Sequence, residues 1–166
     1  MVCKIDMRII LAIILAAVSC ICSADQLVGK VIKITDGDTI NVLTDDYETH
    51  KIRLSGIDAP EKNQAFGNKS KQALMDLIIG KLVRVEYNKL DKYRRLVGKV
   101  IFNDQDVNLR QIELGLAWHY KKYEKEQDVE DRSLYANAEY QAQRDKLGLW
   151  HDASPTAPWD FRKITH

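Results

Sequence analysis

From Leu27 to about Val107 the chain is a series of short stretches in which apolar and polar residues alternate. That period turns one face of an extended strand to a core and the other to water. The stretches are Val28 to Ile34, Thr39 to Leu43, Lys51 to Leu54, Leu82 to Tyr87 and Leu96 to Phe102. Asp36-Gly37 and Asp45-Asp46 supply turns between them, and Asn103-Asp104 reads as a tight turn ahead of a helix. The series is interrupted once. Asn68 to Ile79 carries Ala73, Leu74, Leu77 and Ile78 at helical spacing, with Asn68 as N-cap and Gly80 as the stop. Helical spacing returns in Val107 to Leu114 and in Asp128 to Lys146, where Leu134, Ala138 and Ala142 fall on one line and Gly148 ends the run. The tail, Asp152 to His166, holds Pro155 and Pro158 and reads as an irregular segment that packs Trp159 and Phe161 back on the domain.

Five strands, one inserted helix and two later helices predict an α+β, mainly β class: an OB-type five-stranded barrel with three helices, an architecture that often binds oligonucleotides. A chain of 166 residues has room for one such domain. Its first 24 residues differ in kind. Lys4 and Arg8 precede an apolar run from Ile9 to Val18, and small residues lead to Cys22-Ser23-Ala24. This is the layout of a secretory signal peptide cut after Ala24, with an apolar run too short for a membrane span. The expected product is secreted or periplasmic. The alternative is a lipoprotein, since Ala17-Val18-Ser19-Cys20 loosely matches the motif before a lipid-anchored cysteine, here Cys20. The expected division is therefore a signal peptide at 1–24, a folded domain at 25–151 and a tail at 152–166.

Cleavage after Ala24 removes Cys3, Cys20 and Cys22, all three cysteines of the chain. The processed chain then has no disulfide and no cysteine-based zinc site. Lys4, Arg8 and Asp6 are lost as well, which takes 25 basic and 24 acidic residues to 23 of each. Attraction to a polyanion must then come from local clusters. Lys89, Lys92, Arg94, Arg95 and Lys99 form one, and Lys121, Lys122 and Lys125 another. Nothing in the sequence asks for more than a monomer.

The residues that carry chemistry are Asp36-Gly37-Asp38-Thr39, Arg53, Asp58-Ala59-Pro60-Glu61 and Asp91-Lys92-Tyr93-Arg94-Arg95. Each has an ordinary reading by itself: a hairpin turn, a cation at a strand edge, a proline-fixed loop, a solvated basic turn. Their joint order and spacing set those readings aside. The four histidines, His50, His119, His151 and His166, show no metal-ligand spacing, so His119 is read as structural, and Trp118 and Trp150 are assigned to packing.

In these motifs the chain resembles the staphylococcal nuclease (thermonuclease) family, and more closely its exported bacterial members, which share the Ala117-Trp118-His119-Tyr120 segment and the Leu147-Gly148-Leu149-Trp150 ending. The resemblance spans about Val28 to Trp150. It implies calcium-dependent endonuclease hydrolysis of DNA and RNA with little sequence preference, the 5′ oxygen leaving. By the same resemblance Asp38, Asp58 and the Ala59 carbonyl hold Ca2+, Glu61 positions or deprotonates the attacking water, and Arg53 and Arg95 bind phosphate oxygens. Lys92 and Tyr93 would meet substrate phosphate or a stacked base, and Tyr120 and Tyr123 would stack on a nucleobase or bond phosphate. Calcium suits such a set because it takes six to eight oxygen ligands. Two departures stand out: Arg94 replaces a glycine in the third motif, and the Lys62 to Gly67 connection is short. The rival expectation is a non-catalytic nucleic-acid-binding module on the same fold.

Overall fold

The alternation in the sequence becomes a closed barrel. The computed structural model describes residues 25–165, so the expected signal peptide, its expected cleavage site and Cys20 lie outside the described residues. The elements run β1 (Asp25–Asp36), β2 (Thr39–Leu43), β3 (Thr49–Leu54), β4 (Ile57–Asp58), α1 (Gly67–Ile78), β5 (Leu82–Leu90), β6 (Leu96–Phe102), β7 (Gln105–Asp106), α2 (Val107–Glu113), β8 (Trp118–His119), α3 (Val129–Arg144) and α4 (Pro158–Thr165). Short 3-10 turns lie at Lys121–Glu126 and Gly148–His151. Five strands form the ring in the order β3-β2-β1-β5-β6. These neighbours are antiparallel, and a parallel pairing of β3 with β6 closes the barrel, with Ile52 opposite Leu96 and Arg53 opposite Val97. This is the expected five-stranded OB-type barrel, and closure satisfies edges that an open sheet would leave unpaired.

Val31, Ile40, Val42, Ile52, Val85 and Val100 fill its interior, all fully buried. Leu74 and Ile78 of α1 and Ile112 of α2 join the same core. Each such side chain contributes about 1.5–3 kcal/mol of burial energy. Two buried amides fix the helices relative to the strands. Asn108 donates to the carbonyls of Ser55 (3.0 Å) and Gly98 (3.1 Å) and accepts from the Val100 amide (3.1 Å). Gln111 donates to the carbonyls of Gly37 (2.8 Å) and Ser70 (3.1 Å), tying α2 to α1 and to the first acidic turn.

The structure corrects four expectations. The tail is not irregular throughout: Pro158, whose fixed φ suits a first helical position, opens α4, so four helices rather than three occur among the described residues. Helix α1 is capped not by Asn68 but by Phe66 in a left-handed conformation with no side-chain cap. On α3 the buried line is Tyr135, Ala138, Glu139 and Ala142, while Leu134 is exposed. The two-residue strands β4, β7 and β8 are too short for alternation to reveal. No helix among the described residues is long and apolar enough to cross a membrane.

Candidate active site

The acidic residues meet at one end of the barrel because three strand ends meet there. Asp36 ends β1 and Thr39 begins β2, so Gly37 and Asp38 form the corner. Gly37 is required by space: a Cβ there would lie 1.9 Å from Ser70 Oγ and 2.8 Å from Ala59 Cβ. The corner therefore presses against both α1 and the second acidic motif. Asp38 Oδ2 accepts from the Ala59 amide at 2.8 Å, and its Oδ1 accepts from the Thr39 hydroxyl at 3.0 Å. Asp58 sits on β4, held opposite Trp118 of β8.

Arg53, opposite Thr39 in the β2–β3 register, reaches between the two acids. Its Nη2 lies 3.0 Å from Asp38 Oδ2 and 2.9 Å from Asp58 Oδ1, so both carboxylates converge on a single nitrogen. The side chains of Asp38 and Asp58 are only 9% and 2% exposed. Burial, reinforced by the nearby Asp38 charge, pushes the Asp36 carboxyl up to about 6. Burial also raises Asp58, outweighing the Arg162 hydrogen bond and the Arg53 charge.

Arg162 is the residue that sequence reasoning missed. Its Nη2 is 2.7 Å from Asp58 Oδ2, and its Nη1 is 2.6 Å from Glu61 Oε1 and 3.3 Å from Asp58 Oδ1. It lies on α4, beyond the motifs, in a tail whose prolines suggested irregular chain. The helical spacing of Trp159, Arg162 and Lys163 after Pro158 is the signal that points to it. Glu61 is fixed from the main chain as well. Its amide donates to Gln64 Oε1 (3.1 Å), and Gln64 Nε2 donates to the Thr156 carbonyl (2.6 Å). The short connection to α1 is thus a tight turn, closed by Gly67, where a Cβ would lie 2.0 Å from the Glu61 carbonyl.

The basic residues form a separate, exposed rim. Arg95 does not reach the acids: its Nε and Nη2 both lie 2.7 Å from Asp91 Oδ2, and its amide donates to Asp91 Oδ1 at 3.0 Å. Since Leu96 pairs with Ile52, Arg95 nevertheless lies next to the strand that carries Arg53. Arg94 takes φ 61°, the left-handed conformation a glycine would adopt, so the turn keeps its shape without the glycine. Tyr93 is 67% exposed, with Lys92 Nζ 4.9 Å and the Arg95 guanidinium 5.3 Å from its ring centre. Tyr123 is approached by Lys89 (5.4 Å) and Lys122 (5.6 Å) and meets Tyr120 edge-on at 5.1 Å. Tyr120 stacks on Trp159 of α4 at 5.3 Å and 11°. His119 is buried against Tyr135, its Nε2 2.8 Å from Gln127 Oε1.

The donor set fits a hard cation. Asp38 and Asp58 offer carboxylate oxygens at one point, and three acids (Asp38, Asp58, Glu61) share two guanidiniums (Arg53, Arg162), with the Asp36 carboxyl beside Asp38, leaving the cluster short of positive charge. No group of three His, Cys, Asp or Glu placed to hold a metal occurs among the described residues. Two carboxylates converging on one point are a pair of hard oxygen donors of the kind calcium accepts.

Residues 51–152 match the family model described as staphylococcal nuclease homologue. A Haemophilus influenzae protein named as an uncharacterized endonuclease is 40% identical over 142 residues, 86% of this chain and 76% of its own. A micrococcal nuclease of Shigella flexneri is 37% identical over 146 residues, 82% and 81% of the two chains. An uncharacterized endonuclease of Escherichia coli O157:H7 is 38% identical over 135 residues, 81% and 84%.

Proposed function

Because the chain belongs to the staphylococcal nuclease family, we propose that it is an exported endonuclease that hydrolyses DNA and RNA phosphodiesters with little sequence preference and with calcium as cofactor. The observation that carries the reading is the convergence of Asp38 and Asp58 on one Arg53 nitrogen at 3.0 and 2.9 Å, with Glu61 sharing Arg162 with Asp58. Asp38, Asp58 and the Ala59 carbonyl would hold the cation, which when bound would polarise a phosphoryl oxygen and offset the charge that grows on it.

The remaining steps belong to the chain's own side chains. Glu61 holds a water and takes its proton as the water oxygen bonds to phosphorus and the P–O5′ bond breaks. Arg53 and Arg95 donate paired N–H groups to the phosphate oxygens, stabilising the five-coordinate state and the leaving 5′ oxygen. To do so Arg53 must release an acid from its Nη2, and Arg95 must exchange Asp91 for the phosphate. Lys92, Tyr93 and Tyr123 supply the cationic and aromatic surface on which a flexible strand lies.

The second reading, a binding module that does not cut, draws on the Arg162 contacts, which neutralise part of the acid cluster with the chain's own cation. Incubation with labelled single-stranded DNA and RNA in calcium separates the two readings. The enzyme shortens the strand, whereas the module retains it at full length. Export is a separate part of the proposal, drawn from the first 24 residues. Intact-mass analysis of exported protein should find Asp25 first, and a diacylated Cys20 would establish the lipoprotein alternative.

A further inference from the structure

Helix α4 meets the site at two places at once. Trp159 and Arg162, three residues apart, share a helix face. Trp159 covers a face of Tyr120 at 5.3 Å, and Arg162 spans Asp58 and Glu61 at 2.7 and 2.6 Å. The guanidinium engages both oxygens of Asp58, the acid most deeply buried in the cluster, and Arg53 takes a further place on Oδ1. A dication held by Asp58 would therefore lose ligand positions to Arg162 and sit within a few ångströms of its like charge, in surroundings that screen poorly.

We propose that α4 is a tethered competitor of the divalent cation: Arg162 occupies Asp58 and Glu61 until the metal binds, and metal binding lifts the helix from the site. The inference rests on the proposed reading of Asp58 as a metal ligand.

Three observations support a helix that can leave. Pro158 is its one buried residue among those described. An open pocket of about 180 Å3 lies beside the tail, lined by residues that include Pro60, Phe66, Trp118, Leu149 and, from α4, Phe161. The Arg162 side chain is 38% exposed while its partner Asp58 is 2% exposed, so the arm comes in from solvent onto a fixed acid. Eight residues cannot hold a helix by themselves, so lifting α4 also melts it. Elements with few buried contacts open at low cost. When it opens, Glu61 is freed to hold water and a face of Tyr120 is freed for a base. Linkage makes the effect reciprocal: the docked helix weakens the metal by the same factor as the metal weakens the docking of the helix.

The test is calorimetric titration of chelator-stripped protein with calcium, for wild type, Arg162→Gln and Arg162→Lys. Removing the two competing charge-assisted pairs should tighten calcium binding by about tenfold or more in Arg162→Gln. Arg162→Lys, which keeps the charge but not the two-pronged grip, should fall between it and wild type. Chymotrypsin cleavage after Trp159 or Phe161 should speed up when calcium is added to wild type. Equal or weaker calcium binding by Arg162→Gln, or slower cleavage in calcium, overturns the competition. Failure of both wild type and Arg162→Gln to bind calcium overturns the metal reading together with it.

Discussion

The acid cluster and the basic rim sit at neighbouring strand ends, yet they are built in opposite ways. Asp38 and Asp58 are buried, and Asp38 is fixed by main-chain and side-chain bonds from residues as distant in sequence as Ala59. Lys92, Tyr93 and Arg94 stand on an exposed turn stabilised by contacts within five residues, Asp91 to Arg95. Under the proposed function the difference separates two tasks. A cation site needs oxygen atoms held rigidly before the ligand arrives, whereas a surface that takes a flexible strand gains from side chains that adjust.

Arg53→Ala should break the cluster most completely. It leaves two buried carboxylates without their shared counter-charge, so both cleavage and stability suffer, by about 3–5 kcal/mol in urea unfolding. Glu61→Gln should separate chemistry from structure. Turnover should fall roughly 10²- to 10⁴-fold, while unfolding changes by at most about 1 kcal/mol because the Glu61–Arg162 pair is more than a third exposed on both sides. In the rim, Arg95→Ala should cost about 10²-fold in turnover and Arg94→Ala little; the reverse order would assign the phosphate contact to the wrong arginine. Tyr93→Ala or Tyr123→Ala should weaken strand binding by about 1–3 kcal/mol per lost stack, read by fluorescence titration in chelator, and leave the cluster unchanged.

The smallest effect is on pH. Burial tends to raise Asp91, but hydrogen bonds from the Arg95 and Tyr93 amides and the Arg95 guanidinium prevail and hold it below 3.8. A depressed carboxyl stabilises the fold above its unfolded value and loses that contribution as pH falls. The stability gap between wild type and Asp91→Asn should therefore shrink as thermal unfolding is followed downward from about pH 5. A gap that widens would contradict the assignment.

The barrel was legible in the sequence because alternation and helical spacing are local properties of the chain. The acidic corner was legible for another reason: Asp38, Arg53, Asp58 and Glu61 lie in short motifs whose order survives without a structure. Arg162 was legible only as part of a helical spacing after Pro158, not as a member of the site. Its partners are 104 and 101 residues away, and nothing in Phe161-Arg162-Lys163 states where the helix docks. The resemblance placed Tyr120 among the expected stacking tyrosines, but its cover by Trp159 is a tertiary fact that spacing does not carry. The left-handed turn at Arg94 was masked by its residue type, since an arginine does not advertise positive φ as a glycine does.

The central claim is that the cluster around Asp38, Asp58 and Glu61 cuts phosphodiesters with a bound cation. Its most direct test is a gel time course of single-stranded and duplex DNA with wild type and Glu61→Gln, each in calcium, magnesium and chelator, beside a binding isotherm for both proteins. The account predicts cleavage by wild type in calcium alone, and intact DNA with near-normal binding for Glu61→Gln. Binding without shortening by wild type in every ion, or undiminished cleavage by the variant, would contradict it.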